Sequence, residues 1–321
     1  MNQLNEQTRV LIIGTEVAVS AQESGGALRV NTLKSILENA GGSVTIVNRL
    51  QARNYLRSNW DLIVVVSFSC SQFLRLARRK TVNLWFDPTD SWSLSRISQF
   101  RAGQLIQLPL LARDLLWIWR CPRIDLLTFI TERDASKEQR WWKKKMTPKI
   151  LPVLGLERTV RQGATGRLVF VGDGKYFANR ASLTFLDQVL EYLPMDFRID
   201  LFGDFLISNN ARIVSNGYAA RSDLYQTGDI HLIPVKFGAG LKLKAAVPLW
   251  NGLPVICTSE GANGLHRSKN LSIANTPSEF AEEIIRLTSL ENNVLYNKPK
   301  ERIYIRNDFA EIDAWVRNID S

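Results

Sequence analysis

The sequence contains few cysteines and histidines, and this scarcity excludes several classes of protein. Its three cysteines, Cys70, Cys121 and Cys257, are far apart and odd in number, and its two histidines are His231 and His266. Disulfide frameworks and zinc sites need more of these side chains at closer spacing. We therefore expect free thiols in a reducing compartment and no structural zinc site.

Long apolar segments and a dinucleotide fingerprint are also missing. The N-terminal residues lack the basic and apolar stretches of a secretory signal. The most apolar segment, residues 105–119, is interrupted by Arg113 and Asp114, so it falls short of the uninterrupted run that a spanning helix needs. Gly14 stands alone after the first apolar run, which argues against a nicotinamide-dependent dehydrogenase. A cytoplasmic protein with no membrane-spanning helix is predicted.

What is present is a globular composition with an excess of positive charge. The 321 residues are 45% hydrophobic and 22% charged, and the formal net charge is +10. A chain of this length favours two domains of about 150 residues each. The basic excess indicates an anionic partner: a sugar nucleotide, a nucleic acid or an acidic lipid surface.

Short apolar runs alternate with helical lengths in both halves of the chain, which is typical of parallel sheets covered by helices. The first such run is Arg9–Gly14. Residues 149–166 contain prolines and glycines and are predicted to be a linker between the two halves. Further strands are predicted at 43–47, 61–67, 81–86, 126–130, 167–171, 197–202, 230–234 and 254–258, and helices at 27–39, 181–192, 241–250 and 277–289. The predicted fold class is α/β, with two Rossmann-like domains whose parallel sheets face a central cleft.

The most informative segment is a glycine-lysine loop that precedes the predicted helix at 241–250. Gly238 and Gly240 give the loop its flexibility, and Lys242 and Lys244 fall in the first helical turn. The helix dipole disfavours cations at that end, typically by a few tenths of a kcal/mol to about 1 kcal/mol. Two lysines there, together with the amides of a helix N-terminus, indicate a phosphate-binding site.

This segment resembles the donor-binding segment of retaining GT-B glycosyltransferases of the family-four type. The resemblance rests on GAGLKLK at 238–244, GLPVI at 252–256 and GANGL at 261–265. Weaker matches follow the same order along the chain. They are Gly25, Gly26 and Arg29, DPTDSWS at 87–93, TERD at 131–134, FVG at 170–172 with 176–179, LFG at 201–203, NGY at 216–218 and SDLY at 222–225.

The resemblance implies an N-terminal acceptor domain at 1–155 and a C-terminal nucleotide-sugar domain at 156–306. A C-terminal helix at 307–321 is expected to pack back on the first domain. The implied reaction moves a sugar from a nucleoside diphosphate sugar to a glycan or lipid-linked acceptor, with retention and without a metal or other cofactor. The implied donor-binding residues are Gly172, Lys175, Gly238, Gly240, Lys242, Lys244, Gly261, Ala262, Asn263 and Gly264.

The sequence departs from the family pattern in its carboxylates. Ala239 and Val247 occupy the positions of two glutamates that usually contact the sugar and the ribose, and Asp173 replaces an arginine, leaving Lys175 or Arg180 as substitutes. A non-catalytic GT-B partner protein with a degenerate donor site is therefore an alternative. A GT-B epimerase is less favoured, because the carboxylates and histidine it needs around the sugar are not found. The candidate catalytic residues are Asp87, Asp90 and Glu132, in the first domain.

A basic and aromatic segment at residues 139–149 suggests a surface for anionic lipid. It contains Trp141, Trp142, Lys143, Lys144 and Lys145, and residues 74–80 and 105–120 would extend it. Tryptophans at headgroup depth and lysines facing anionic lipid would give peripheral association with the inner face of the cell membrane, in keeping with polysaccharide biosynthesis. No nucleic-acid partner is expected, because no recognisable nucleic-acid module accompanies the basic residues.

Overall fold

The computed structural model describes residues 8–20, 24–142, 146–153, 160–161, 166–204, 208–289 and 308–319. The chain divides into two compact units, one formed by Met1–Gly155 with Arg306–Ser321 and the other by Leu156–Ile305. Each unit is built on a six-stranded parallel sheet with helices. The α/β class with two Rossmann-like units, predicted from the sequence, is confirmed.

The sheet of the first unit has the strand order β2-β1-β3-β4-β5-β6. Its strands are β1 (Arg9–Gly14), β2 (Ser43–Asn48), β3 (Leu62–Val66), β4 (Asn83–Thr89), β5 (Leu126–Phe129) and β6 (Lys149–Ile150). Its helices are α1 (Glu16–Ser20), α2 (Gly25–Asn39), α3 (Arg49–Tyr55), α4 (Leu74–Arg78), α5 (Trp92–Arg101), α6 (Gln107–Trp119) and α7 (Glu132–Trp142), with a 3-10 helix at Phe68–Phe73. The central strand β3 is buried throughout, which explains its continuous run of apolar side chains.

The first unit also contains the last helix of the chain, α12 (Phe309–Arg317). Ile312 and Val316 of this helix are fully buried in the same apolar cluster as strands β1 and β3. The carboxylate of Asp308, just before the helix, accepts a hydrogen bond of 2.8 Å from the amide of Ile150 in β6. Burial of one helical face and this hydrogen bond hold the C-terminal helix to the first unit.

The sheet of the second unit has the strand order β12-β11-β10-β7-β8-β9. Its strands are β7 (Leu168–Val171), β8 (Ile199–Phe202), β9 (Ile213–Ser215), β10 (Ile230–Ile233), β11 (Val255–Cys257) and β12 (Leu271–Ile273). Its helices are α8 (Phe177–Glu191), α9 (Arg221–Leu224), α10 (Leu243–Trp250) and α11 (Pro277–Ser289). After β7 the chain adds β8 and β9 on one side of the sheet, and after β10 it adds β11 and β12 on the other side. The strand order therefore reverses between the neighbours β7 and β10.

Two differences from the sequence-based prediction concern the strands. The segment predicted to be a linker, residues 149–166, begins with strand β6, which pairs with β5, and its residues 154–159 and 162–165 lie outside the described residues. The short strands β9 and β12 were not predicted. Among the helices of the described residues, none is long and apolar enough to span a membrane.

Candidate donor site

The glycine-lysine loop lies at the point where the strand order of the second sheet reverses. It joins the carboxyl end of β10 to α10, next to the loop that follows β7. A Cβ atom added to Gly238 would lie 3.7 Å from the hydroxyl oxygen of Tyr176, so the two loops approach each other closely. In open parallel sheets, ligands bind outside the carboxyl ends of the strands at such a reversal.

Glycines set the path of the loop after β10. The φ angle is 131° at Gly238 and 73° at Gly240, a region that side chains with a Cβ atom rarely adopt. Lys242 is the N-cap residue of α10, and its ammonium group turns back to donate to the carbonyl oxygens of Ala239 at 2.9 Å and Gly240 at 3.1 Å. Lys242 therefore stabilises the loop that precedes its own helix.

Lys242 also has a carboxylate partner from the neighbouring strand. Its Nζ atom lies 3.3 Å from Oε1 of Glu260, which follows β11, and both side chains are largely buried. Buried charges need partners of opposite sign, so Glu260 provides one for Lys242. The positive charge of Lys242 is thus balanced in this structure.

Lys244, the second residue of α10, has a different environment. Its ammonium group donates to Oδ1 of Asn179 at 2.5 Å and lies 4.7 Å from the ring centroid of Phe170, a cation–π contact. Burial, with a smaller contribution from the nearby charge of Lys242, lowers the pKa of Lys244 to about 7. A lysine that titrates near neutral pH can gain its proton when an anion binds beside it.

The position of Asn179 depends on a glycine at the end of β7. A Cβ atom on Gly172 would lie 2.7 Å from Nδ2 of Asn179, closer than real contacts allow. The same Nδ2 atom donates to the carbonyl oxygen of Asp173 at 2.7 Å. The side chain of Asn179 is therefore fixed between the loop after β7 and the ammonium group of Lys244.

The second glycine loop, at residues 261–264, packs against β10 and the first loop. A Cβ atom on Gly261 would lie 2.8 Å from the carbonyl oxygen of Ile233, and the buried Asn263 donates from Nδ2 to the carbonyl oxygen of Gly240 at 3.2 Å. Ala262 and Gly264 belong to the same turn, and Gly264 has a φ angle of 81°. The two glycine loops thus form one connected structure.

The structure brings all ten predicted donor-binding residues to the carboxyl ends of three neighbouring strands, β7, β10 and β11. Lys175 differs, because its exposed ammonium group forms an ion pair of 3.1 Å with Asp204 that raises its pKa. Arg180 donates to the carbonyl oxygens of Gly174 and Lys175 and so supports the loop after β7. Their donor-binding roles remain predictions.

Three residues at this site were not assigned from the sequence: Asn179, Glu260 and Phe170. Asn179 and Phe170 contact Lys244, which is far away in the sequence, and Glu260 contacts Lys242 through the parallel pairing of β10 and β11. The available signal for Glu260 was that it is the one carboxylate in the segment 254–265 and follows a predicted strand. A lysine at the neighbouring strand end, Lys242, needs such a carboxylate partner if it is buried.

The three candidate catalytic residues of the first unit have different environments. Asp87 is fully buried, and its carboxylate is bound by the guanidinium group of Arg29 and by the hydroxyl of Thr128. This geometry favours a structural role for Asp87. Asp90 is exposed and lines a cavity, and Glu132 is exposed at the first position of α7. Catalytic roles for all three stay predictions.

The two histidines lie in contrasting places. His231 is fully buried in β10, where burial lowers its pKa to about 3, and its ring lies 5.3 Å from that of Tyr225. His266 is exposed, with Nδ1 2.8 Å from the carbonyl oxygen of Arg267. His231 is a neutral core residue, and its Nε2 atom has no partner within the described part of the chain.

The basic and aromatic segment is only partly at the surface. Trp142 is 1% exposed and packs against Phe86, so its predicted insertion at a membrane surface is wrong. Trp141 is exposed, and Lys143, Lys144 and Lys145 lie outside the described residues. An apolar groove of about 280 Å³ is lined by Leu115, Leu116, Ile118, Trp119 and Trp141. Four of the five residues that line this groove belong to α6, and Trp141 belongs to α7.

All three cysteines are free and buried. Burial raises the pKa of both Cys70 and Cys257 to about 12, which keeps these thiols protonated and unreactive near neutral pH. Across the residues that the structure describes, no group of three or more histidine, cysteine or acidic side chains is arranged to hold a metal ion.

Comparison with known proteins identifies the fold. No family model and no curated protein sequence matches this chain. HepE from Anabaena, solved with UDP and glucose, has a TM-score of 0.61 at 12% identity, with 98% of this chain and 96% of that chain covered. The fold is GT-B.

Two further structures share the GT-B fold. Trehalose-6-phosphate synthase has a TM-score of 0.57 at 13% identity, with 96% of each chain covered. A DNA-modifying β-glucosyltransferase, studied with and without uridine diphosphoglucose, has a TM-score of 0.53 at 12% identity, with 98% of this chain and 100% of that chain covered. At such low identities the likeness establishes the fold and leaves the activity to be argued from the site.

Proposed function

We propose that this protein is a glycosyltransferase that takes a sugar from a nucleoside diphosphate sugar bound to its second unit. The observation that carries the proposal is the position of Lys244. Its ammonium group lies at the N-terminus of α10, next to two glycine loops and at the reversal point of a GT-B sheet. A helix N-terminus, glycine loops and a lysine together form a site suited to a diphosphate.

The same groups would act on the leaving group. Cleavage of the bond between sugar and diphosphate builds negative charge on the departing phosphate oxygens. Lys244, whose pKa is lowered to about 7 by burial, would become fully protonated as the anion enters. Lys242 would stay with its carbonyl partners and hold the loop in place. Preorganised donors of this kind stabilise developing charge without reorganisation.

Uridine diphosphate hexoses are the donors that we propose first. HepE, which shares the fold over almost the whole chain, was solved with UDP-glucose at a TM-score of 0.61. On this proposal the unit of Leu156–Ile305 binds the donor, and the unit formed by the remaining residues receives a glycan or lipid-linked acceptor. We also propose that the reaction needs no metal, since Lys244 and the N-terminus of α10 can balance the diphosphate charge, and that it proceeds with retention, as the resemblance implies.

Association with an anionic membrane surface is part of the proposal. Leu116 and Trp119 of α6 are 55% and 81% exposed, and with Trp141 they border the apolar groove. Arg120, Arg123 and Arg140 are exposed in the same or adjacent segments. Exposed apolar side chains flanked by arginines suit the interface of an anionic bilayer, where each basic residue adds about 1 kcal/mol.

An activity assay tests the proposed reaction. The protein is incubated with radiolabelled UDP-glucose, UDP-galactose and UDP-N-acetylglucosamine and with methyl hexosides and disaccharides as acceptors, with and without EDTA, and release of UDP and labelled product is followed. The proposal expects turnover of at least one donor, unchanged by EDTA, and a product whose anomeric proton shows the configuration of the donor. Turnover that EDTA abolishes would overturn metal independence, and inverted product would overturn retention.

A further inference from the structure

A cavity of about 670 Å³ lies in the first unit, where strands β3 and β4 end. Its walls come from the 3-10 helix, the end of β4, and helices α5 and α6. Strands β3 and β4 are parallel neighbours, with Val66 opposite Asp87, so the residues that follow both strands meet at one edge of the sheet. The volume falls within the range of small-molecule sites.

Backbone strain is concentrated at this cavity. Ser67 and Thr89, which both line it, have φ angles of 74° and 68°, and no other non-glycine residue in the described part of the chain has a positive φ. Residues with side chains adopt this conformation at an energetic cost, which is tolerated where the surroundings impose it and is frequent at ligand sites.

Asp87 holds both strained residues in place. Its carbonyl oxygen accepts a hydrogen bond of 2.7 Å from the amide of Ser67, and its carboxylate accepts one of 3.1 Å from the amide of Thr89. The buried guanidinium group of Arg29 in turn binds the carboxylate. The buried ion pair thus fixes the shape of the cavity wall.

Trp92 is a well-fixed part of the wall of the same cavity. It lines the cavity and is 5% exposed, and its indole N–H has no hydrogen-bond partner among the residues that the structure describes. Glu138 accepts hydrogen bonds of 2.6 Å from the hydroxyl of Ser91 and 3.0 Å from the amide of Ser93, which fixes the backbone on both sides of Trp92. These hydrogen bonds hold the indole ring of Trp92 in the wall of the cavity.

The lining indicates the chemistry of the ligand. Phe68 stacks on Trp92 with ring centroids 5.2 Å apart and meets the edge of Trp117 at 5.5 Å, which gives the cavity an aromatic wall. Several serines and Thr89 also line the cavity. The charged side chains of the lining are Arg96, Arg113, Asp90 and Asp114, so their formal charges cancel.

An uncharged saccharide fits this combination. Its C–H face can pack on aromatic rings while its hydroxyl groups exchange hydrogen bonds with serines and carboxylates. Asp114 accepts hydrogen bonds from Arg96 and Arg113, so both guanidinium groups are partly neutralised and the cavity has no excess positive charge for a phosphate. An acyl chain would leave the polar groups unsatisfied.

We infer that this cavity binds an uncharged saccharide which, if the proposed function is correct, is the acceptor of the transferred sugar. The test uses saturation-transfer-difference NMR on the full chain, without nucleotide, with methyl hexosides and disaccharides of glucose, galactose and mannose. Ser71→Phe would fill the cavity, and Trp117→Leu would remove part of its aromatic wall. Ser58→Phe, an exposed position of the same unit outside the cavity, is the matched control.

The expected result is saccharide binding by the wild type and by Ser58→Phe, and at least ten-fold weaker binding by both cavity variants. All four proteins should retain the wild-type affinity for UDP-glucose and the wild-type circular dichroism spectrum. Absence of saccharide binding, or equal binding by cavity and control variants, would overturn the inference. A protein that binds saccharides in the cavity but no nucleotide sugar would instead contradict the proposed function and leave the cavity assignment standing.

Discussion

The ammonium group of Lys244 lies 2.5 Å from Oδ1 of Asn179, although the two residues belong to different helices and follow different strands. Asn179 is in α8, after β7, and Lys244 is in α10, after β10. Their contact therefore crosses the point where the strand order of the second sheet reverses. It joins the two loops between which we place the diphosphate of the donor.

Replacement of Lys244 by methionine tests its role in binding. A hydrogen bond to a charged group contributes about 1.5–3 kcal/mol, so we expect UDP-glucose to bind about 10- to 100-fold more weakly to Lys244→Met in a calorimetric titration. Lys269→Met is the matched control. Lys269 is an exposed lysine at the amino end of β12, whereas the donor site lies at the carboxyl ends of strands of the same sheet. Equal weakening by both substitutions would show that only overall charge matters.

The affinity for UDP-glucose should depend on pH because of the same lysine. The pKa of Lys244 is lowered to about 7 in the free protein, and the diphosphate should raise it again, so binding takes up a proton above pH 7. We expect the affinity to be highest below about pH 7 and to fall by up to ten-fold per unit above it. Titrations in buffers of different protonation enthalpy count the protons. A constant affinity between about pH 6 and about pH 9 would contradict this role.

Two glycines at strand ends should respond differently to alanine. In Gly172→Ala the new Cβ displaces the side chain of Asn179, so we expect weaker binding of UDP-glucose with little loss of stability. In Gly261→Ala the Cβ would lie 2.8 Å from the backbone carbonyl oxygen of Ile233, and no movement of a side chain can relieve this clash. Overpacking of this kind typically costs about 1–3 kcal/mol. Urea denaturation should show the loss for Gly261→Ala, and an unchanged midpoint there would be inconsistent with the packing described.

His231 should make the protein sensitive to acid. Burial lowers the pKa of His231 to about 3 in the folded protein. Between about pH 6.5 and about pH 3 only the unfolded chain takes up the proton, so the protein becomes less stable as the pH decreases. At pH 5 this amounts to about 2 kcal/mol relative to neutral pH. We expect His231→Phe, which keeps a ring beside Tyr225, to lose this part of the pH dependence in urea denaturation. Parallel pH profiles of variant and wild type would contradict it.

Binding to anionic vesicles should depend on the exposed face of α6. We expect the wild type to float with vesicles that contain phosphatidylglycerol at low salt, and the double substitution Leu116→Ser with Trp119→Ser to weaken binding at least ten-fold, since each buried apolar side chain contributes about 1.5–3 kcal/mol. Leu50→Ser is the control, because Leu50 is 79% exposed in the same unit but lies in α3. Flotation of the double variant at the wild-type level would rule out this face as the membrane contact.

The fold was predictable where burial imposes a simple pattern on the sequence. The central strands β1 and β3 are apolar at nearly every position because both faces are covered, and Gly14 ends the first of them. Strands β9 and β12 have only three residues each, lie at the two edges of their sheet and are largely unburied. Such short edge strands carry little of this pattern, and they were missed.

The candidate site was predictable only to the extent that it is local. The spacing of Gly240, Lys242 and Lys244 indicated a loop, a helix N-terminus and two cations, and the structure has each of them. The contact between Lys242 and Glu260 depends on the pairing of β10 with β11, which local sequence does not specify.

The burial of Trp142 shows the same limit. Adjacent residues on a helix point about 100° apart, and in α7 Trp142 lies on the buried face while Trp141 is exposed. Composition gave no indication of which one packs against Phe86.

The measurement that tests the central claim most directly is a calorimetric titration of the wild-type protein with UDP-glucose, repeated with GDP-mannose and with UDP alone. We expect one binding site per chain for at least one nucleotide sugar, with an affinity that Lys244→Met weakens and Lys269→Met leaves unchanged. Absence of binding by every nucleotide and nucleotide sugar, or binding that is indifferent to Lys244, would contradict a donor site at the N-terminus of α10.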